Sequence, residues 1–183
     1  MKMVSVEIEG ICPILFNNFF DAKSLSKQGS KKKTQTEYDD EVQYKVYRKT
    51  KTGPIGIPAN NIKKSILEAV TSAGLKVGRR SAIEYFRATM FLDTDFVSLG
   101  KKKPDGIHQC AGRRPPRTGG AVLISRPYLD TGWKAAFKLH ISDDRLSLEM
   151  VEIALIEAGL IKGLCDHRPE YGRFKVTKFE ACK

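Results

Sequence analysis

Two strand–helix–strand runs, separated by polar, lysine-rich stretches, predict an α+β, ferredoxin-like domain. Its plan is a four-stranded antiparallel sheet with two helices on one face and two basic insertions. Three observations carry the prediction. Val4, Val6 and Ile8 alternate with Ser5, Glu7 and Glu9; Trp133, Ala135, Phe137, Leu139 and Ile141 alternate with more polar neighbours; and two other segments repeat apolar residues at helical spacing.

In chain order, the first strand ends near Gly10. From Asn17 to Thr52 the sequence turns polar and includes the run Lys31-Lys32-Lys33, so it reads as a long insertion in which Val42, Tyr44 and Val46 form a short ribbon. Ile62, Ile66, Ala69, Val70 and Ala73 then mark a helix, with Asn60 or Asn61 as N-cap and Gly74 as stop. Arg87 to Asp95 reads as a strand, and Gly100 to Arg117, with three prolines, reads as a loop. A short strand is expected over Ala121 to Ser125, and the clear one from Trp133 to Ile141 turns at Asp143-Asp144. Ser147 caps a helix striped by Leu148, Val151, Ala154, Leu155 and Ala158 and closed by Gly159. Arg173 to Phe179 reads as the last strand.

The chain has 183 residues, 41% of them hydrophobic, and a formal charge of +11. At this size a single core buries roughly 70% of the unfolded surface without a disulfide or metal staple. Disorder is excluded by the apolar content, and a transmembrane helix by the lack of a run of about 18 apolar residues. The alternating N-terminus shows no export signal, and Cys12, Cys110, Cys165 and Cys182 lie far apart, so a reducing cytoplasm is expected. The positive charge favours a nucleic acid first and a membrane surface second, with plain solubility as the alternative.

The charge is unevenly placed. Residues 17–52 hold nine basic and five acidic side chains, and residues 100–117 hold six basic and one acidic, so the two insertions carry nine of the eleven excess charges. In the first of them the acidic residues Glu37, Asp39, Asp40 and Glu41 cluster apart from the lysine run. The candidate phosphate ligands there are Lys31, Lys32, Lys33, Lys45, Arg48, Lys101, Lys102, Lys103, Arg113, Arg114 and Arg117. Lys63 and Lys64 join them, because cations in a helix's first turn oppose its dipole and meeting an anion would offset that cost. Arg168 and Arg173 flank a glycine-spaced loop, Gly163 to Gly172, that lets backbone approach a ligand or a neighbouring strand. Tyr38, Tyr44, Tyr47 and Tyr128 lie among cations and are candidate base-stacking rings, whereas Trp133, Phe137, Phe174 and Phe179 read as core.

Two of these segments resemble a known family. Ile55 to Leu67, with Pro58, Asn61 and Lys63 at matching positions, resembles the segment that opens the first helix in the RAMP superfamily of CRISPR proteins. Gly163 to Phe174, with Gly163, Gly172 and Arg173, is similar to that superfamily's C-terminal glycine-rich loop. The backbone subunit of effector complexes is the most similar member. The resemblance implies a modified RNA-recognition fold over residues 1–183, with insertions at about 17–52 and 94–132. It also implies binding of guide RNA along its phosphates, copies stacked into a filament, and other effector-complex subunits as partners. A stand-alone phage or mobile-element relative binding single-stranded DNA or RNA fits the same residues.

Catalysis is the competing expectation. Some relatives cleave RNA without metal through His, which here directs attention to His108 and His167 in basic loops; some backbone subunits use an Asp after the first strand, roughly where Asp21 lies. His108, Cys110, Cys165 and His167 offer zinc-type ligands, but with the wrong spacing within each half. No phosphate-binding P-loop, dinucleotide fingerprint or Ser-His-Asp signature occurs, so no cofactor and no metal are expected. The expectation from sequence is therefore a non-catalytic binder of single-stranded nucleic acid. An endoribonuclease and a structural or inhibitory protein are the alternatives.

Overall fold

The computed structural model describes residues 1–18, 42, 44–114 and 120–182. Among the described residues, eleven strands and three α-helices follow in chain order. They are β1 (Lys2–Gly10), β2 (Ile14–Leu15), β3 (Gly56–Pro58), α1 (Ala59–Ser72), β4 (Lys76–Val77), β5 (Arg80–Ser81), α2 (Ile83–Thr89), β6 (Met90–Leu92) and β7 (Phe96–Ser98). After these come β8 (Gly106–Arg114), β9 (Gly120–Leu129), β10 (Lys134–Ile141), α3 (Leu148–Glu157) continued by one π-helical turn (Ala158–Lys162), and β11 (Phe174–Ala181).

The main sheet has the order β11-β1-β10-β6, every neighbour antiparallel. With α1 joining the β1 and β6 arms and α3 joining β10 to β11, this is the ferredoxin-like plan. The period-two pattern of β1 puts Val4, Val6 and Ile8 opposite Leu139, Phe137 and Ala135 of β10, all buried on the face that α1 and α3 cover. Helix α1 buries Ile62, Ile66, Ala69 and Val70 against that face, and α3 buries Val151, Ala154 and Leu155. Trp133, Phe137 and Phe174 belong to the same core, with Phe179 packed at its margin.

Between β6 and β10 the chain leaves the sheet. β7 pairs with β3 just ahead of α1, and β8 and β9 form a long antiparallel hairpin that β2 extends to three strands. Among the described residues no helix is long and apolar enough to cross a membrane.

Several sequence expectations change here. The strand expected over Arg87 to Asp95 is shorter: α2 takes its first three residues, and only Met90–Leu92 pair with β10. Half of the loop expected over Gly100 to Arg117 is β8, with its prolines in sequence outside the paired residues Gly106–Arg114. The short strand at 121–125 extends to Leu129 as β9. Around Val46 there is a turn and a single bridge from Arg48 to Ile55 in place of a ribbon.

Helix ends also differ in part. The N-cap of α1 is Pro58, extended at ψ 135°, without a side-chain cap; Asn60 and Asn61 lie inside the first turn. Helix α3 continues past Gly159 to Gly163, whose φ of 70° ends it. Gly159 is needed for a different reason, because a Cβ there would sit 2.2 Å from the Phe174 carbonyl of β11. The cap expected at Ser147 is present, its Oγ accepting from the Met150 N–H at 3.1 Å. Ser147→Ala is expected to lower stability by about 1 kcal/mol, read by chemical denaturation, because one first-turn N–H loses its partner.

Candidate nucleic-acid interface

The uncovered sheet face is a poor platform for nucleic acid. It presents Glu7 and Glu9 of β1, Lys134 and Lys138 of β10, and Lys175 and Lys178 of β11. Lys175 pairs with Glu9 at 3.5 Å, and Lys178 with Glu180 at 3.3 Å and Glu7 at 4.0 Å. Two of its four lysines are thus ion-paired, and its central strands present no Phe, Tyr or Trp ring for a base to stack on. Phe91 and His140 stack on each other at its β6 edge, 5.0 Å apart and nearly parallel. A cleft of about 490 Å³ on this side is lined by Glu7, Glu9, Lys134 and Thr177. Two carboxylates against one ammonium do not favour a phosphate there.

The other candidate segments meet at the end of the helical face. The loop between Gly163 and Gly172 folds against α1: the Gly163 carbonyl accepts from the buried Ser65 hydroxyl at 2.8 Å, and Asn61 Oδ1 accepts from the Cys165 N–H at 3.3 Å. Arg168 adds an ion pair to Glu68 at 3.1 Å. Two stretches about a hundred residues apart thus form one unit through three side chains of α1. The loop closes on itself through the Leu164 N–H to the Gly172 carbonyl, and on the first arm through the Gly172 N–H to Pro13 and the Asp166 N–H to Leu15. Cys165 and His167 adopt left-handed conformations, with φ of 63° and 57°.

The hairpin joins the same unit. Arg126 of β9, nearly buried, is ion-paired with Asp166 of the loop and also donates to Cys110 Sγ of β8 at 3.1 Å. Beside this pair the rings of His108 and His167 lie 6.2 Å apart, and that of Tyr171 lies 5.1 Å from the first and 5.4 Å from the second. His167 Nε2 is 3.1 Å from Glu170 Oε2. Removing the anion leaves a guanidinium largely out of water, so Asp166→Ala is expected to lower stability by about 2 kcal/mol in a denaturant titration.

The predicted site residues divide into three groups. Several are engaged within the protein. Lys45 donates to the Ser125 carbonyl at 3.1 Å, Lys63 to the Arg87 carbonyl at 2.9 Å, and Arg48 to the carbonyls of Gly53 and Lys102. Lys101 pairs with Asp105 at 2.7 Å, and that hydrogen bond holds the Asp105 carboxyl below its ordinary range. Lys64, Lys102, Lys103 and Arg173 are exposed and have no side-chain partner among the described residues. Arg113 and Arg114 lie on β8, opposite Ala121 and Gly120, toward the far end of the hairpin. Lys31, Lys32, Lys33, Tyr38, Arg117 and Asp21 lie outside the described residues.

Of the tyrosines, Tyr44 is exposed, whereas Tyr47 packs edge-on against Phe16, and burial raises its hydroxyl above the ordinary value. Tyr128 is half-buried, its ring lying over Gly106. Among the described residues no three His, Cys, Asp or Glu side chains converge as metal ligands, and burial pushes the Cys165 thiol up.

Sequence reasoning missed Arg126, Asp166, Ser65 and Tyr171. A serine on the apolar stripe of α1 was the one local signal, since a buried hydroxyl needs a partner from elsewhere in the chain.

No protein-family model and no curated protein matches the chain. Among solved structures it is similar to a chain in the cryo-EM structure of the Type III-B Cmr-beta bound to cognate target RNA, with a TM-score of 0.59 and 15% sequence identity. The match covers 100% of this chain and 61% of that one, so this chain spans about three-fifths of its neighbour's length. At that identity the likeness establishes the fold alone, which among the described residues is a four-stranded antiparallel sheet with three α-helices.

Proposed function

We propose that this chain is a RAMP-like, non-catalytic binder of single-stranded RNA that holds its ligand along the phosphate backbone. In this reading residues 1–183 are one domain with basic insertions at about 17–52 and 94–132, working beside other subunits of a CRISPR-type complex and along RNA in several copies. The observation that carries it is the joining of the two RAMP-like segments. Asn61, Ser65 and Glu68 of α1 hold the glycine-rich loop, so segments singled out separately by sequence form one surface. The neighbouring structure supports RNA as the ligand, because its complex is bound to target RNA. Of the predicted ligands, Lys64, Lys102, Lys103 and Arg173 are exposed and free to meet phosphates, and Arg113 and Arg114 are further candidates on the hairpin.

The test is what comes through purification with the protein. An absorbance ratio showing bound nucleic acid, digested by ribonuclease and not by deoxyribonuclease, is the expected result. DNA alone would favour the stand-alone DNA-binding alternative, and a clean protein that also fails to bind added RNA would overturn the proposal.

One observation favours a second reading, metal-independent RNA cleavage: His108 and His167, from separate elements, face each other with Glu170 against the second ring. One imidazole would take the 2′-hydroxyl proton while the other gives a proton to the departing 5′-oxygen, leaving a cyclic phosphate. Labelled RNA incubated with chelator separates the readings. A pure binder leaves it intact, whereas a nuclease cuts it and loses that activity in His108→Ala and His167→Ala.

A further inference from the structure

A short hairpin between α1 and α2 carries charge that the two insertions do not account for. Strands β4 and β5 pair Lys76 with Ser81 and Val77 with Arg80, and Gly78-Arg79 make the turn, with Gly78 at a φ of 61°. The hairpin is anchored at its base. The Leu75 N–H donates to the Val70 carbonyl, the Ala82 N–H donates to the Leu75 carbonyl, and Leu75 and Val77 pack at the margin of the core. Alternation along the strand then leaves Lys76 exposed between them, and Arg79 stands at the tip.

Lys76, Arg79 and Arg80 are all exposed, and none has a side-chain partner among the described residues. Carboxylates on the neighbouring elements are already paired: Glu68 with Arg168, Glu84 with Arg87, and Asp143 with Arg145, whose guanidinium lies over the Tyr85 ring of α2. Three cations within five residues repel one another, and a polyanion at the tip would offset that repulsion. The framework outside the insertions is near neutral only as a sum. Residues 59–89 hold six basic side chains against two acidic, whereas α3 and its continuation hold Glu149, Glu152 and Glu157 against Lys162. Helix α1 connects this positive turn to the glycine-rich loop. Its first half holds the loop through Asn61 and Ser65, Lys64 is exposed in the same stretch, and the helix ends at Ser72, about 12 Å along the axis from Lys64.

We propose that the β4–β5 hairpin is a second phosphate-binding element, which extends the path of single-stranded RNA from the glycine-rich loop across Lys64 to Arg79 and Arg80. It rests on the RNA-binding reading above and adds to it three cations that lie outside both insertions and both RAMP-like segments. The hairpin has no aromatic ring to stack on a base, so it contributes affinity without sequence preference.

Fluorescence anisotropy with a labelled 30-nucleotide RNA across a salt series tests it. Wild type is compared with Arg79→Glu/Arg80→Glu and with Lys134→Glu/Lys138→Glu, which makes the same change in net charge on the uncovered sheet face. For the hairpin variant the expected result is a loss of about tenfold or more at moderate salt, a log–log slope shallower by about 1.4 for the two lost contacts, and an unchanged melting temperature. The sheet variant loses less than about threefold, with its slope unchanged. Wild-type affinity and slope in the hairpin variant overturn the hairpin proposal and leave the functional one standing. Equal losses in both variants do the same, because they trace the effect to overall charge. Failure of the wild type to bind RNA at low salt overturns the functional proposal and this one with it.

Discussion

Gly172→Ala is expected to cost about 3 kcal/mol or more, lowering the melting temperature by roughly 6–12 °C, and to weaken RNA binding with it. Gly172 has a φ of 75°, and a Cβ there would lie 2.0 Å from the Leu164 carbonyl oxygen and 2.8 Å from the Leu164 nitrogen. Both atoms are backbone, and the strands of the loop are tied there: the Leu164 N–H donates to the Gly172 carbonyl, and the Gly172 N–H donates to the Pro13 carbonyl. The loop cannot yield without breaking the bonds that set it against β2 and α1. Gly78→Ala is the control. Its φ of 61° is equally left-handed, but nothing lies within 4 Å of its Cβ position, so the change should cost only about 1–2 kcal/mol. Thermal unfolding followed by circular dichroism measures both. Equal losses would mean that the close approach of the loop is unimportant.

Reversing the charge of the candidate phosphate ligands should do the opposite, removing binding and sparing the fold. Arg113→Glu with Arg114→Glu, or Lys31, Lys32 and Lys33 changed together to Glu, is expected to weaken single-stranded RNA binding about 10- to 100-fold at moderate salt, with the melting temperature unchanged. Each lost phosphate contact should also make the salt dependence shallower by about 0.7 in log–log slope. Lys45→Ala, Arg48→Ala and Lys101→Ala should behave differently, because these cations are engaged with carbonyls and a carboxylate. They should cost stability before they cost affinity. Fluorescence anisotropy with labelled RNA, paired with thermal melts, separates the two classes.

The sheet was legible where a strand has one wet face, as in β1 and β10, because period-two alternation reports that directly. Helix α3 was legible from its stripe and its serine cap. What was hidden has physical reasons. Strand β8 contains Gly106, Gly112, His108 and two arginines, and it is held by its partner β9 more than by any alternation of its own. Helix α2 is a short element between two edge features, too brief for a period to register. The start of α1 lies two or three residues before the expected cap at Asn60 or Asn61, because Asn61, a good capping residue, is used to hold the glycine-rich loop. Its role, like the pairing of Arg126 with Asp166, depends on what the fold brings beside it. The glycines marked the loop, but not the residues that hold it.

Recognition through phosphates is the central claim, and a salt titration tests it most directly. The wild-type protein is titrated with a labelled 30-nucleotide RNA, and with the DNA of the same sequence, across a series of salt concentrations. Tight binding at low salt with little sequence preference is expected, with a log–log slope of about −3 or steeper, as when at least about four phosphates are neutralised. Binding that ignores salt, or no binding at low salt, would contradict it.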